Sequence, residues 1–103
     1  LPADEMAARA AEAAVFLKAL GHEGRLMILC HLSGGERSVT ELEALLGARQ
    51  AAVSQQLARL RAEGLVSARR DGKVIHYSIR DPKAAAIMAL VYDLFCGPES
   101  ARP

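Results

Sequence analysis

Cys30 and Cys96 are the only thiols in this chain of 103 residues and lie 66 positions apart. A thiol can ligate a soft metal, attack a disulfide or a sulfane sulfur, or fill a core as a small apolar group. Cys30 stands inside the apolar run "RLMILCHL", four residues after Leu26 and next to Leu29, which predicts a place on the buried stripe of a helix. Two widely separated cysteines in a small alanine-rich chain predict reduced thiols in a cytoplasmic protein rather than a disulfide framework. Zinc needs three or four N, S or O ligands converging at about 2.0–2.3 Å. His22, His31, His76 and the two cysteines form no spaced cluster of that kind. His31 follows Cys30 but points about 100° away around a helix. The chain holds no Cys-x-x-Cys, no cysteine with a spaced His/Asp pair and no phosphate loop. The expectation is therefore a protein that is not an enzyme and needs neither cofactor nor metal.

Charge supplies the second chemistry. Net charge is +1, but residues 49–80 carry seven basic side chains (Arg49, Arg59, Arg61, Arg69, Arg70, Lys73, Arg80) against Glu63 and Asp71. That segment is +5, leaving −4 for the rest, a distribution expected of a phosphate-facing surface. No apolar run is long enough to span a bilayer and no signal-peptide pattern opens the chain, so no membrane partner is expected.

These residues need elements to position them. Residues 4 to 20 read as a first helix, with Met6, Ala10, Ala13, Ala14, Leu17 and Leu20 at helical spacing before Gly21. Residues 23 to 33 form a second, stopped by Gly34-Gly35. In "SVTELEALLG", Thr40 with Glu43 has capping-box spacing at the head of a third helix, and the preceding "RSV" can add one β-bridge. "ARQAAVSQQLARLRAEG" is a fourth, with Val53, Leu57 and Leu60 on its inner side. Asp71-Gly72 between strand formers predicts a hairpin, Val66 to Ile79. Asp81-Pro82 then opens a last helix, apolar nearly all round, that Gly97-Pro98 end.

The fold class is thus mainly α with a β-hairpin wing, a winged helix-turn-helix of order α-α-α-α-β-β-α, read as a single domain over 1–103. A final helix apolar on every side cannot be covered by so small a core, so a homodimer packing through the first and last helices is expected. The fourth helix would present Gln50, Ala51, Ser54 and Gln55 to the base edges of double-stranded operator DNA, since Gln can pair with adenine N6 and N7. Arg49, Arg59 and Arg61 would reach flanking phosphates, with Arg69, Arg70 and Lys73 on or beside the wing.

"LKALGHEGRLMILCHL", "VTELEALLG", "AAVSQQLARLRAEGLV" and "RRDGKVIHYSI" resemble the ArsR family of dimeric winged-helix repressors, in order and over essentially the whole chain. The family commonly has His where Gln56 stands. One metal site of that family uses Cys-x-Cys where this chain has Ser38-Val39-Thr40. Another uses last-helix positions filled here by Asp81 but also by Lys83, Leu94 and Gly97. A cysteine on the second helix and one on the last resemble the persulfide-sensing, SqrR/BigR-like branch. That resemblance implies a repressor that binds its operator when reduced. Reactive sulfur species would release it by linking Cys30 and Cys96 in a di- or polysulfide. A metal-responsive repressor, or one sensing general oxidants, is the alternative.

Overall fold

The computed structural model describes residues 1–97. In chain order they form α1 (Ala3–Leu20), α2 (Glu23–Ser33), β1 (Arg37–Ser38), α3 (Val39–Leu46), α4 (Gln50–Ala62), β2 (Val66–Asp71), β3 (Val74–Ile79) and α5 (Pro82–Cys96). The architecture is the winged helix-turn-helix read from the sequence: α3 and α4 joined by a tight connection, then a hairpin wing. The sheet is antiparallel in order β1-β3-β2, so the "RSV" stretch does pair, with Arg37 opposite Tyr77 and Ser38 opposite His76.

The third helix begins two residues earlier than expected. Ser38, not Thr40, is the N-cap: its Oγ accepts from the Glu41 amide at 3.1 Å, and Glu41 Oε1 accepts from the Ser38 amide at 2.9 Å. Pairing with His76 holds Ser38 extended (φ −81°, ψ 164°), the conformation an N-cap requires, so Thr40 falls inside the helix. The fourth helix starts at Gln50, with Ala48 and Arg49 outside it. Asp81 and Pro82 open α5 as expected, Asp81 Oδ1 accepting from the Lys83 amide at 2.8 Å. Pro98, expected to help end that helix, lies outside the described residues.

Asp71 pairs with Val74, so Gly72 and Lys73 are the two loop residues of the hairpin. Gly72 takes φ +63°, a conformation that glycine adopts without a Cβ penalty. The core is built from Ile28, Leu29 and Leu32 of α2, Leu42 of α3, Val53, Leu57 and Leu60 of α4, and Ala84 and Met88 of α5. Helix α1 contributes only Leu20 to it. No helix among the described residues is long and apolar enough to cross a membrane.

Candidate functional site

Two groups of residues stand out, a polar reading surface and a pair of thiols. Along α4, Val53, Leu57 and Leu60 turn inward and are at most 2% exposed. The 3.6-residue period then sends Gln50, Ala51, Ser54, Gln55, Arg59 and Arg61 to solvent, with Arg49 exposed just before the helix. The structure thus leaves the predicted base-reading and phosphate residues exposed, spread over about half of the helix circumference with Arg59 and Arg61 near its opposite edges. Gln56 is different. It turns back against α2, where its Nε2 lies 3.6 Å from the position a Cβ on Gly24 would take, and its buried Oε1 has no hydrogen-bond partner. That separation is an ordinary van der Waals distance, so Gln56 faces the protein against α2 and not the outward side that Ser54 and Gln55 occupy.

On the wing, Arg69, Arg70 and Lys73 are all exposed. Arg69 already has a partner: its guanidinium grips Glu36 at 2.6 and 3.0 Å, tying β2 to the loop before β1. That contact holds the Glu36 carboxyl below its ordinary pKa and raises Arg69's, through the hydrogen bonds first and the opposite charges second. Arg70 Nε donates to the Gly72 carbonyl at 3.1 Å, within its own turn. Lys73 is in the turn itself, and His76 sits half-buried on β3 beside Ser38 and Arg69.

Both cysteines are free thiols. Cys30 does not sit on the buried stripe as expected. Ile28, Leu29 and Leu32 form that stripe, while Leu26 and Cys30 pack half-buried along its edge. The reason is rotational: Cys30 lies about 100° from Leu29 on the side opposite Ile28 and Leu32, which brings it toward the groove between α2 and α5. Cys96 is exposed in the last turn of α5. Burial raises the Cys30 pKa above that of an ordinary thiol, and the nearby Cys96 raises it further. The two sulfurs, remote in sequence, are within electrostatic reach of each other. Among the described residues no three His, Cys, Asp or Glu side chains converge in a way that could hold a metal ion.

Two arginines near these sites carry no periodic signal that singles them out. Arg25 is a half-buried strut whose Nη1 meets Glu63 Oε2 at 2.6 Å, joining α2 to the C-cap of α4, and also donates to the Ala19 carbonyl at 3.4 Å. Arg37 sits half-buried at the edge of the sheet beside the end of α2. Sequence reasoning weighed neither: an isolated arginine on a helix or a two-residue strand looks solvated until the fold supplies its neighbours.

Comparison with known proteins agrees with this arrangement. The profile described as bacterial regulatory protein, arsR family, matches residues 22–68, from the start of α2 into β2. The biofilm growth-associated repressor of Agrobacterium fabrum is 48% identical over 96% of this chain and 85% of its own length. The crystal structure of the transcriptional repressor BigR from Xylella fastidiosa superposes with a TM-score of 0.86 at 42% identity, covering 98% of this chain and all of that one. Reduced HlyU from Vibrio cholerae follows with a TM-score of 0.84 at 41% identity, covering 89% and 97%. With near-complete coverage at such identity, and with its helices and wing in the same places, the chain belongs to the ArsR family of DNA-binding bacterial transcriptional regulators.

Proposed function

We propose that this chain is a cytoplasmic, homodimeric transcriptional repressor that binds operator DNA when reduced. Linking Cys30 and Cys96 by a di- or polysulfide, in response to reactive sulfur species, releases it. The observation that carries this reading is the packing of α2 against α5, which sets Cys30 in one cavity with Tyr92, a single turn of α5 before the free thiol of Cys96.

The chemistry follows from their surroundings. Cys30 is held protonated at neutral pH, while Cys96 is exposed, so Cys96 attacks first. Its thiolate displaces R–S⁻ from the outer sulfur of a persulfide R–S–SH. The new bond is Cys96 Sγ to that sulfur, the bond broken is the donor's S–S, and the proton leaves with R–SH. Cys30 then attacks Cys96 Sγ and expels H₂S, giving a disulfide. If both cysteines carry an added sulfur, loss of one H₂S gives a trisulfide. A plain disulfide needs Cα atoms roughly 4.4–6.8 Å apart, and inserted sulfurs relax that limit.

Dimerisation is supported by what the single chain leaves uncovered. Of the 18 residues of α1 only Leu20 is buried, while Val15 and Leu17 on α1 and Leu90 and Phe95 on α5 are more than half exposed. The radius of gyration is 15.3 Å, where about 13 Å is usual for a compact chain of this length. A second copy related by a two-fold axis would cover both apolar faces and place two α4 helices for half-sites about 34–36 Å apart. The chain's similarity to the repressors named above favours repression over activation.

The test is intact-protein mass spectrometry run beside operator binding after polysulfide treatment of the wild-type, Cys30→Ser and Cys96→Ser proteins. Loss of binding in the wild type is expected to track formation of the bridge, read as the loss of two hydrogens for a disulfide or that loss plus one sulfur for a trisulfide. Cys30→Ser stops at a Cys96 persulfide, and both variants form no intramolecular bridge and keep their binding. Full loss of binding in either serine variant refutes the mechanism.

A further inference from the structure

A cavity of about 460 Å³ opens beside the thiols, lined by Cys30, His31, Ser33, Gly34, Arg37 and Tyr92. Its size suits a small-molecule ligand. The lining holds a guanidinium, an imidazole, a phenol and a thiol but no carboxylate, so the space favours a negatively charged guest. Arg37 is the fixed charge. It is half-buried, and its Nε donates to the His31 carbonyl at 3.5 Å, which anchors the guanidinium over the end of α2. One of its Nη atoms lies 3.9 Å from where a Cβ on Gly34 would stand. It makes no ion pair among the described residues, although Arg9, Arg25 and Arg69 all do. Glu41 feels its charge, but that carboxylate is taken by the Ser38 capping box. A half-buried arginine whose remaining N–H groups lack a carboxylate is suited to bind one from outside.

The second thiol stands next to the cavity, one turn of α5 beyond the Tyr92 that lines it. Tyr92 and Cys96 stand four residues apart on α5, on one face, and helical side chains lean toward the N-terminus, so Cys96 leans toward the Tyr92 end of the cavity. A guest there lies between Cys30 on one helix and Cys96 on the other.

We infer that this cavity docks an anionic sulfane-sulfur donor, held through Arg37, with its reactive sulfur between Cys30 and Cys96. This rests on the dithiol reading proposed above and adds the class of donor to it. The preferred guest is a carboxylate-bearing organic persulfide, because a planar guanidinium pairs with a carboxylate through two parallel hydrogen bonds. The step it serves is the one already written: Cys96 takes the outer sulfur, the donor leaves as its thiol, and no further oxidant is consumed.

The experiment measures second-order rates of thiol loss by quenched alkylation and intact mass, with glutathione persulfide, tetrasulfide ion and the neutral diallyl trisulfide as probes. Arg37→Gln is expected to slow glutathione persulfide about tenfold, the worth of one charge-assisted pair, with Arg37→Lys between it and the wild type. The neutral trisulfide should react with all three proteins at one rate. A matching drop with tetrasulfide supports docking through charge on the sulfur chain itself, and no drop with it supports docking through the carboxylate. Unchanged glutathione persulfide kinetics in Arg37→Gln, or an equal drop with the trisulfide, overturns the docking role alone. A wild-type protein inert to every donor overturns the dithiol reading, and the docking with it. Should Arg37→Gln fail to fold, S-methylglutathione, which has the carboxylates but no sulfane sulfur, must inhibit the wild-type reaction with glutathione persulfide and spare the trisulfide. Absence of that inhibition refutes the inference.

Discussion

Leu17 offers a direct measurement of the proposed dimer. It lies on α1, is 52% exposed, and lines a groove of about 510 Å³ between α1 and α5 with Phe16, Ala86 and Ile87. Burying a whole leucine side chain contributes about 1.5–3 kcal/mol. Roughly half of that surface is still open, so covering it adds about 0.75–1.5 kcal/mol per protomer. A two-fold interface counts each residue twice, which brings the pair to about 1.5–3 kcal/mol, or roughly 10- to 150-fold in the dimer dissociation constant. Leu17→Ala should therefore weaken dimerisation by one to two decades while leaving the helical content of the protein intact, because the buried core does not include it. Sedimentation equilibrium across a concentration series reads the constant, and far-UV circular dichroism reads the fold. Operator affinity should fall in parallel at protein concentrations below the new constant. An unchanged constant in Leu17→Ala, or a wild-type chain that sediments as a monomer at micromolar concentration, refutes the argument that α1 and α5 face a second copy.

Three further outcomes are expected. Ser38→Ala should cost about 1 kcal/mol in urea unfolding through loss of the cap, and Thr40→Ala much less; equal losses would place the cap wrongly. Because burial and Cys96 raise the Cys30 pKa, the folded protein keeps that proton longer than the unfolded chain does. Its contribution to stability is complete below the unfolded thiol value near 8.5 and is lost as pH rises through the folded one. Stability should thus decline above about pH 8.5 by a component that Cys30→Ala removes, measured by denaturant titration at a series of pH values. On DNA, Arg59→Ala should lower the slope of log affinity against log salt by about 0.9 with little change in sequence preference, whereas Gln55→Ala should relax preference at one base pair by about 1–3 kcal/mol. Competition binding against singly substituted operators separates the two.

Periodicity carried most of the fold because each helix but one buries a face. Val53, Leu57 and Leu60 could be placed inside by spacing alone, and once they are inside, Gln50, Ser54 and Gln55 must face out. The same logic misplaced Cys30, since Leu26, Leu29 and Cys30 form a stripe no wider than Ile28, Leu29 and Leu32, and only the packing of the other helices selects which side of Leu29 is covered. The cap at Ser38 was hidden for another reason. Thr40 with Glu43 and Ser38 with Glu41 have equal spacing, and only the pairing of Ser38 with His76, far along the chain, selects between them. The reading face was legible as far as local sequence fixes a helix. Glu36 with Arg69 and Arg25 with Glu63 were not, because an ion pair 33 or 38 residues apart in sequence exists only after the fold brings its members together.

The Arg25–Glu63 contact gives the proposed switch a mechanical route. Cys30 and Arg25 lie on the same helix, α2; a bridge to Cys96 pulls one end of that helix toward α5, and Arg25 transmits the movement at the other end to the C-cap of α4. Each α4 would stand about 17 Å from the dimer axis, half the spacing between half-sites, so a rotation of about 10° displaces it by about 3 Å. That is comparable to a whole hydrogen-bond length, enough to break contacts to base edges. Coupling of this kind amounts to about 1–3 kcal/mol. Arg25→Gln removes the strut, and the ion pair itself, with Glu63 43% exposed, contributes about 1 kcal/mol or less to stability. The variant should therefore fold and bind DNA when reduced, while the ratio of reduced to sulfur-treated operator affinity shrinks. Glu63→Gln should shrink it equally, and the double variant no further, because both changes cut one connection. A ratio that stays at the wild-type value in both single variants would show that the signal reaches α4 through packing of Ile28, Leu29 and Leu32 instead.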